Sequence, residues 1–133
     1  MANGLFYFPI DTTITSTAIA PVYLDAAPEA LTTAAPAVSV QCYFTELDAT
    51  AQGVAATLAD GVVHGQMKRI TASVVSGGTT NVTIASPVSS SLNVVTFSVI
   101  GDTVDLIWNE EAGYWRILAL TDVDRNISTP VAS

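Results

Sequence analysis

The chain has 133 residues, half of them hydrophobic and 12% charged, and a net charge of −8 with only four basic residues: Lys68, Arg69, Arg116 and Arg125. A length in this range makes one domain, which buries roughly two-thirds of its unfolded surface and needs no disulfide or metal to hold a core. Four scattered cations cannot line a groove for nucleic acid, and the acidic balance opposes docking on an anionic membrane.

Residues 2–10 contain Leu5-Phe6-Tyr7-Phe8-Pro9-Ile10, an aromatic, extended stretch in which Pro9 biases Phe8 away from helix. It reads either as an edge strand or as an arm that packs on a neighbour. Residues 16–37 are rich in Ala, Pro and Thr, with prolines at 21, 28 and 36, which excludes a long helix. The segment reads as an extended strap, and Pro28-Glu29-Ala30-Leu31 is compatible with a single helical turn.

Residues 38–47 alternate, with Val38, Val40, Cys42 and Phe44 on one side, and predict a strand. Ala51 to Leu58 predicts a weaker strand, since Gly53 and the alanines lower β propensity. Asp60-Gly61 reads as a hairpin signal. Further strands are predicted from Met67 to Ser76 (Ile70, Ala72 and Val74 facing alike), Asn81 to Ala85 (Val82, Ile84) and Leu92 to Ile100. Thr103 to Trp108 and Tyr114 to Leu120 complete the set, joined by a polar loop over residues 109–113. Gly77-Gly78 and Gly101-Asp102 mark turns. Short strands at this spacing predict an all-β fold, a compact antiparallel β-sandwich or barrel with an extended N-terminal arm. The expected organisation is an arm and strap over 1–37, an antiparallel domain over 38–125 and a tail over 126–133.

The charged fraction is about half the usual ~25%, so much of the surface is expected to be covered by other subunits or a partner. Cys42, the one cysteine, can form no intrachain disulfide and reads as a buried small hydrophobe. The first residues carry no positive n-region and no apolar run approaches the ~20 residues of a membrane span, so synthesis in a cytosol-like compartment is expected.

Candidate sites are few. His64 lacks an identifiable second ligand or orienting carboxylate and reads as a surface residue. Asp122 and Asp124 could chelate a hard cation, but the spacing of a calcium loop is missing and a solvated turn with Arg125 fits better. Glu110-Glu111 reads as a charged turn. Trp108 and Trp115 either offer a stacking platform or, with Phe97, anchor the core or a subunit contact. No nucleophile motif, phosphate loop or Cys/His cluster is present, so no catalytic residue, metal or cofactor is expected.

The stretch Asp60-Gly61, Gly65-Gln66-Met67-Lys68-Arg69-Ile70, Thr96-Phe97, Gly101-Asp102-Thr103-Val104-Asp105-Leu106-Ile107-Trp108 and Trp115-Arg116-Ile117 is similar to a β module of tailed-bacteriophage structural proteins. The resemblance spans residues 58–120 and is closest to capsid decoration (cement) proteins. It implies a non-enzymatic homotrimer on the capsid surface of a virion, made in the host cytoplasm and bound to the major capsid protein. Leu5, Phe6, Tyr7, Phe8 and Ile10 are then the expected capsid-binding arm. A tail-fibre or head-fibre component that contacts host glycan through an exposed Trp or Tyr is the alternative.

Overall fold

The computed structural model describes residues 27–90, 93–121 and the backbone of 131–132. All regular structure in them is β. In chain order the strands are β1 (Glu29–Leu31), β2 (Ala37–Val38), β3 (Phe44–Asp48), β4 (Val54–Leu58) and β5 (Met67–Val74). They continue as β6 (Thr80–Ile84), β7 (Val94–Phe97), β8 (Thr103–Asn109), β9 (Tyr114–Thr121) and β10 (Val131–Ala132). They form two five-stranded sheets: sheet I in the order β9-β8-β5-β3-β1, and sheet II in the order β10-β7-β6-β4-β2.

From β1 to β6 each strand lies in the opposite sheet from the one before it. Neighbours within a sheet are therefore two strands apart in sequence and run the same way. β1, β3 and β5 pair in parallel, as do β2, β4 and β6. The order changes at β6, whose antiparallel partner is the next strand, β7. β8 returns to sheet I, antiparallel to β5, and forms a hairpin with β9.

The all-β expectation holds, and the purely antiparallel one is corrected: both sheets are mixed and do not close into a barrel. Asp60-Gly61 is not a hairpin turn: residues 59–66 carry the chain from sheet II to sheet I. Gly77-Gly78 makes the reverse crossing. A Cβ on Gly77 would stand 2.2 Å from the Ala49 carbonyl oxygen, so this crossing requires glycine. The β structure also extends beyond 38–125, because β1 lies before that range and β10 after it.

Two local expectations change as well. Pro28–Leu31 is not a helical turn: Glu29, Ala30 and Leu31 pair with Thr45, Glu46 and Leu47. The strand expected over 38–47 is two strands in different sheets, separated by a turn at Val40-Gln41. Val38 and Cys42 are buried, but after the turn Thr45 and Leu47, not Phe44, face the interior.

Period-two alternation fills the space between the sheets. Val54, Ala56 and Leu58 point inward from β4, Val82 and Ile84 from β6, and Val95 and Phe97 from β7. Sheet I answers with Leu47, Ile70, Ala72, Val104, Leu106, Trp108 and Trp115, and all belong to one hydrophobic cluster. Each fully buried aliphatic side chain contributes about 1.5–3 kcal/mol relative to exposure, so this shared cluster is the main cohesive term.

Candidate functional site

Trp108 and Trp115 sit opposite each other in the β8–β9 hairpin. The Trp108 backbone bonds towards the β5 side, to Gln66 and Gly65, and that of Trp115 bonds outward to Ser86 and Val88. They thus form a non-hydrogen-bonded pair, the type that brings side chains closest. Their rings meet edge to face, with centroids 5.4 Å apart and planes at 61°, a favoured aromatic geometry. The Trp108 indole N–H donates to Glu110 Oε1 (2.6 Å), and that of Trp115 to the Ala59 carbonyl (2.8 Å). Both residues are at most 5% exposed and Phe97 is 2% exposed, so neither tryptophan presents a face for stacking on a ligand. A Cβ on Gly61 would stand 2.3 Å from Trp108 Cγ, so the 59–66 crossing lies directly on the indole. This is a packing reason for the glycine of the Asp60-Gly61 motif.

His64 is exposed, and its Nδ1 accepts the Glu110 backbone N–H at 3.2 Å. This leaves Nε2 to carry the proton of the neutral ring. With Arg116, Asn109, Ile107 and Trp108 it lines an open depression of about 250 Å³. Glu110 is committed to the indole and Glu111 is exposed, so the adjacent carboxylates form no acid–base pair across a cleft. Among the described residues no group of His, Cys, Asp and Glu is arranged to hold a metal ion. Asp122, Asp124 and the arm residues Leu5, Phe6, Tyr7, Phe8 and Ile10 lie outside the described residues.

The structure adds a buried polar cluster that the sequence reading missed. Lys68 lies on β5 in phase with Ile70 and Ala72 and is 1% exposed. Its ammonium donates to the carbonyls of Cys42 (2.5 Å) and Ser39 (2.8 Å) and stands 3.8 Å from Glu29 Oε1. The Glu29 carboxylate in turn accepts the Ser39 N–H at 3.0 and 3.1 Å and the Thr45 hydroxyl at 2.7 Å. Burial pushes the Lys68 pKa down from its ordinary value, and Glu29 opposes that shift. One turn away Gln66, 5% exposed, accepts the Val62 N–H (2.6 Å) and donates to the Val40 carbonyl (2.6 Å). Cys42 is buried as expected, its thiol donating to the Phe44 carbonyl at 3.1 Å.

The chemistry of this cluster is structural. Residues 39–43 cross from sheet II to sheet I between β2 and β3, and the carbonyls of Ser39, Val40 and Cys42 take side-chain donors there. Gln66 and Lys68 supply them. The signal was available in the alternation, which places a lysine on the same face as Ile70 and Ala72. Asp102 acts similarly at the β7–β8 crossing: one carboxylate oxygen accepts the N–H groups of Ser98 (2.7 Å) and Val99 (3.0 Å).

The two outer faces differ in charge. Of the charged described residues, Glu29, Glu46, Asp48, Lys68, Arg69, Asp105 and Arg116 lie on strands of sheet I. Asp60, Asp102, Glu110 and Glu111 lie in the connections leading into or within it. The strands of sheet II carry none. Their outward positions are Ala37, Thr57, Thr83 and Val94 in one row and Ala55, Asn81 and Thr96 in the next. This uncharged sheet face is the one extended surface of the described residues that is built unlike an ordinary solvated one, and it is the candidate functional surface. No protein-family model matches the chain, and no curated protein matches it in sequence.

Proposed function

We propose that the chain is a capsid decoration (cement) protein of a tailed bacteriophage. It binds the outer surface of the phage head as a homotrimer and stabilises the lattice of the major capsid protein. It does this by contact alone, without catalysis. The observation that carries the reading is the uncharged outer face of sheet II in a chain with only 12% charged residues. Such a face is suited to being covered, and a lattice component is covered on several sides. The residues that carry the resemblance also hold this fold: Gly61 lies on Trp108, Gln66 and Lys68 hold the 39–43 crossing, and Asp102 holds the turn before β8.

On this reading the apolar arm Leu5, Phe6, Tyr7, Phe8 and Ile10 supplies the grip on the capsid, and the β body supplies bulk between capsid subunits. The test mixes purified protein with undecorated heads and follows co-sedimentation and head melting temperature. The full chain is expected to bind stoichiometrically and raise that temperature. A chain lacking residues 1–10 is expected to keep its β-type circular dichroism and lose binding. Full occupancy by the truncated chain refutes the arm, and absence of binding by the full chain refutes the capsid reading.

A further inference from the structure

We infer that the outer face of sheet II is the surface through which copies of this chain meet one another. The inference refines the homotrimer proposed above and stands on the placement of charge. A chain of net charge −8 brings like charges together when it meets itself through most of its surface. Sheet I presents Glu46, Arg69, Asp105 and Arg116 on its strands, with Glu110 and Glu111 in the adjoining hairpin loop. Two copies facing there would desolvate several charges, with acids in excess.

Sheet II presents no charge to desolvate. Its side chains are short, so two such surfaces approach without long side chains to order, which lowers the entropic cost of contact. The rows run in register: Thr57 pairs with Thr83 and Thr83 with Val94, while Ala55 pairs with Asn81 and Asn81 with Thr96. A shallow depression of about 290 Å³ at one end of the face is lined by alanines, threonines, Val38 and Leu58. Of the larger exposed apolar side chains, Val62, Val63, Val88 and Ile100 lie in loops and Met67 and Leu118 on strands of sheet I, where scattered exposure is ordinary.

The dimensions suit a three-fold as well as a two-fold arrangement. Four strand spacings make a face ~19 Å wide, and three such faces around an axis lie ~5.5 Å from it, close to half the ~10 Å at which sheets pack. The complementary partner is thus a second or third copy, because every copy brings an equally uncharged face.

The experiment is sedimentation equilibrium of the full chain over about a hundredfold range of concentration, beside three variants. Thr57→Glu and Ala55→Lys each place a charge at an exposed position of the face, and Ala119→Glu places one on exposed β9 of sheet I as the control. Circular dichroism confirms folding of each. Wild type and the Ala119→Glu control are expected to associate. Thr57→Glu and Ala55→Lys are expected to raise the dissociation constant at least tenfold, the acid and the base acting alike because either charge is desolvated. A wild-type chain that stays monomeric throughout, or an association equally insensitive to both sheet II variants, overturns the inference. Head binding is scored separately. A chain that associates through sheet II without binding heads upholds this inference and refutes the capsid reading; a dimer broken by Thr57→Glu upholds it and refutes only the trimer.

Discussion

Sheets I and II share one apolar interior but are held by different means. Sheet II is joined by packing: inward from its strands come Val, Ala, Leu, Ile and Phe, with Thr80 the sole polar residue among the buried ones described. Sheet I places Thr45 and Lys68 among its inward residues and uses them, with Glu29 and Gln66, to secure the irregular crossing at 39–43. Outside, the contrast repeats, with charge on sheet I and none on sheet II. The difference teaches that polar residues here follow the crossings. Where backbone leaves a ladder, a buried side chain must replace the lost partner; where the ladder is continuous, shape suffices.

The sharpest way to break that comparison is to swap similar-sized side chains in each sheet. Lys68→Met keeps most of the volume and removes the donor to Ser39, Cys42 and Glu29. It is expected to cost roughly 3 kcal/mol, the low end of the ~3–5 range for breaking a buried pair, because Glu29 keeps some solvent contact. Leu58→Met, at a fully buried position of sheet II, is expected to cost under ~1.5 kcal/mol. Urea unfolding of both variants beside wild type measures the two costs. Equal losses would erase the distinction between a sheet held by partners and a sheet held by packing.

Period two is legible within most strands and fails over 38–47, where a turn at Val40-Gln41 resets the phase and takes Phe44 off the inward face. The alternation puts Ile70 with Ala72, Val82 with Ile84, and Val104 with Leu106 and Trp108 on common faces and makes the two tryptophans neighbours across a hairpin; the structure buries those faces and sets Trp108 opposite Trp115. What the sequence could not show was which strands are neighbours. Gly77-Gly78 has the same chemistry whether the chain folds back beside itself or crosses to the other sheet, so parallel pairing stayed hidden. Lys68 is hidden for a different reason: a lone charge reads as surface, although its phase with Ile70 and Ala72 turns it inward. The charge-free intervals 30–45, 49–59 and 70–101 stand in the sequence. That four of the five sheet II strands fall within them emerges only from the strand order.

The pH dependence of the Lys68 cluster sharpens the comparison further, with a smaller effect. Burial lowers the Lys68 pKa below 10.5. Between the folded and unfolded values the unfolded chain holds a proton that the folded chain has released. Unfolding then takes up a proton, so the contribution of Lys68 to stability rises with pH through that window and levels off above 10.5. The cost of Lys68→Met is therefore expected to grow between neutral pH and about pH 10, while that of Leu58→Met stays level. Urea titrations at both pH values read the difference directly. A Lys68→Met cost that shrinks as pH rises means the amine is not desolvated in the folded chain.

The smallest expected effect lies on the outer face of sheet I. Arg69 Nε donates to Asp105 Oδ1 at 2.7 Å and its Nη2 to Oδ2 at 2.9 Å, a two-point pairing between neighbouring strands β5 and β8. That hydrogen bonding, with the charge of Asp105, raises the guanidinium pKa above its ordinary value and keeps it charged. Yet the Arg69 side chain is 44% exposed, so water competes for both groups and the geometry adds little stability. A double-mutant cycle with Arg69→Ala and Asp105→Ala is expected to give a coupling of at most ~1 kcal/mol, decreasing in high salt. A coupling as large as the cost of Lys68→Met would place the specific polar support of sheet I on its surface as well as at its crossings. A weak one leaves that support with Lys68, Glu29 and Gln66, at the Ser39, Val40 and Cys42 backbone.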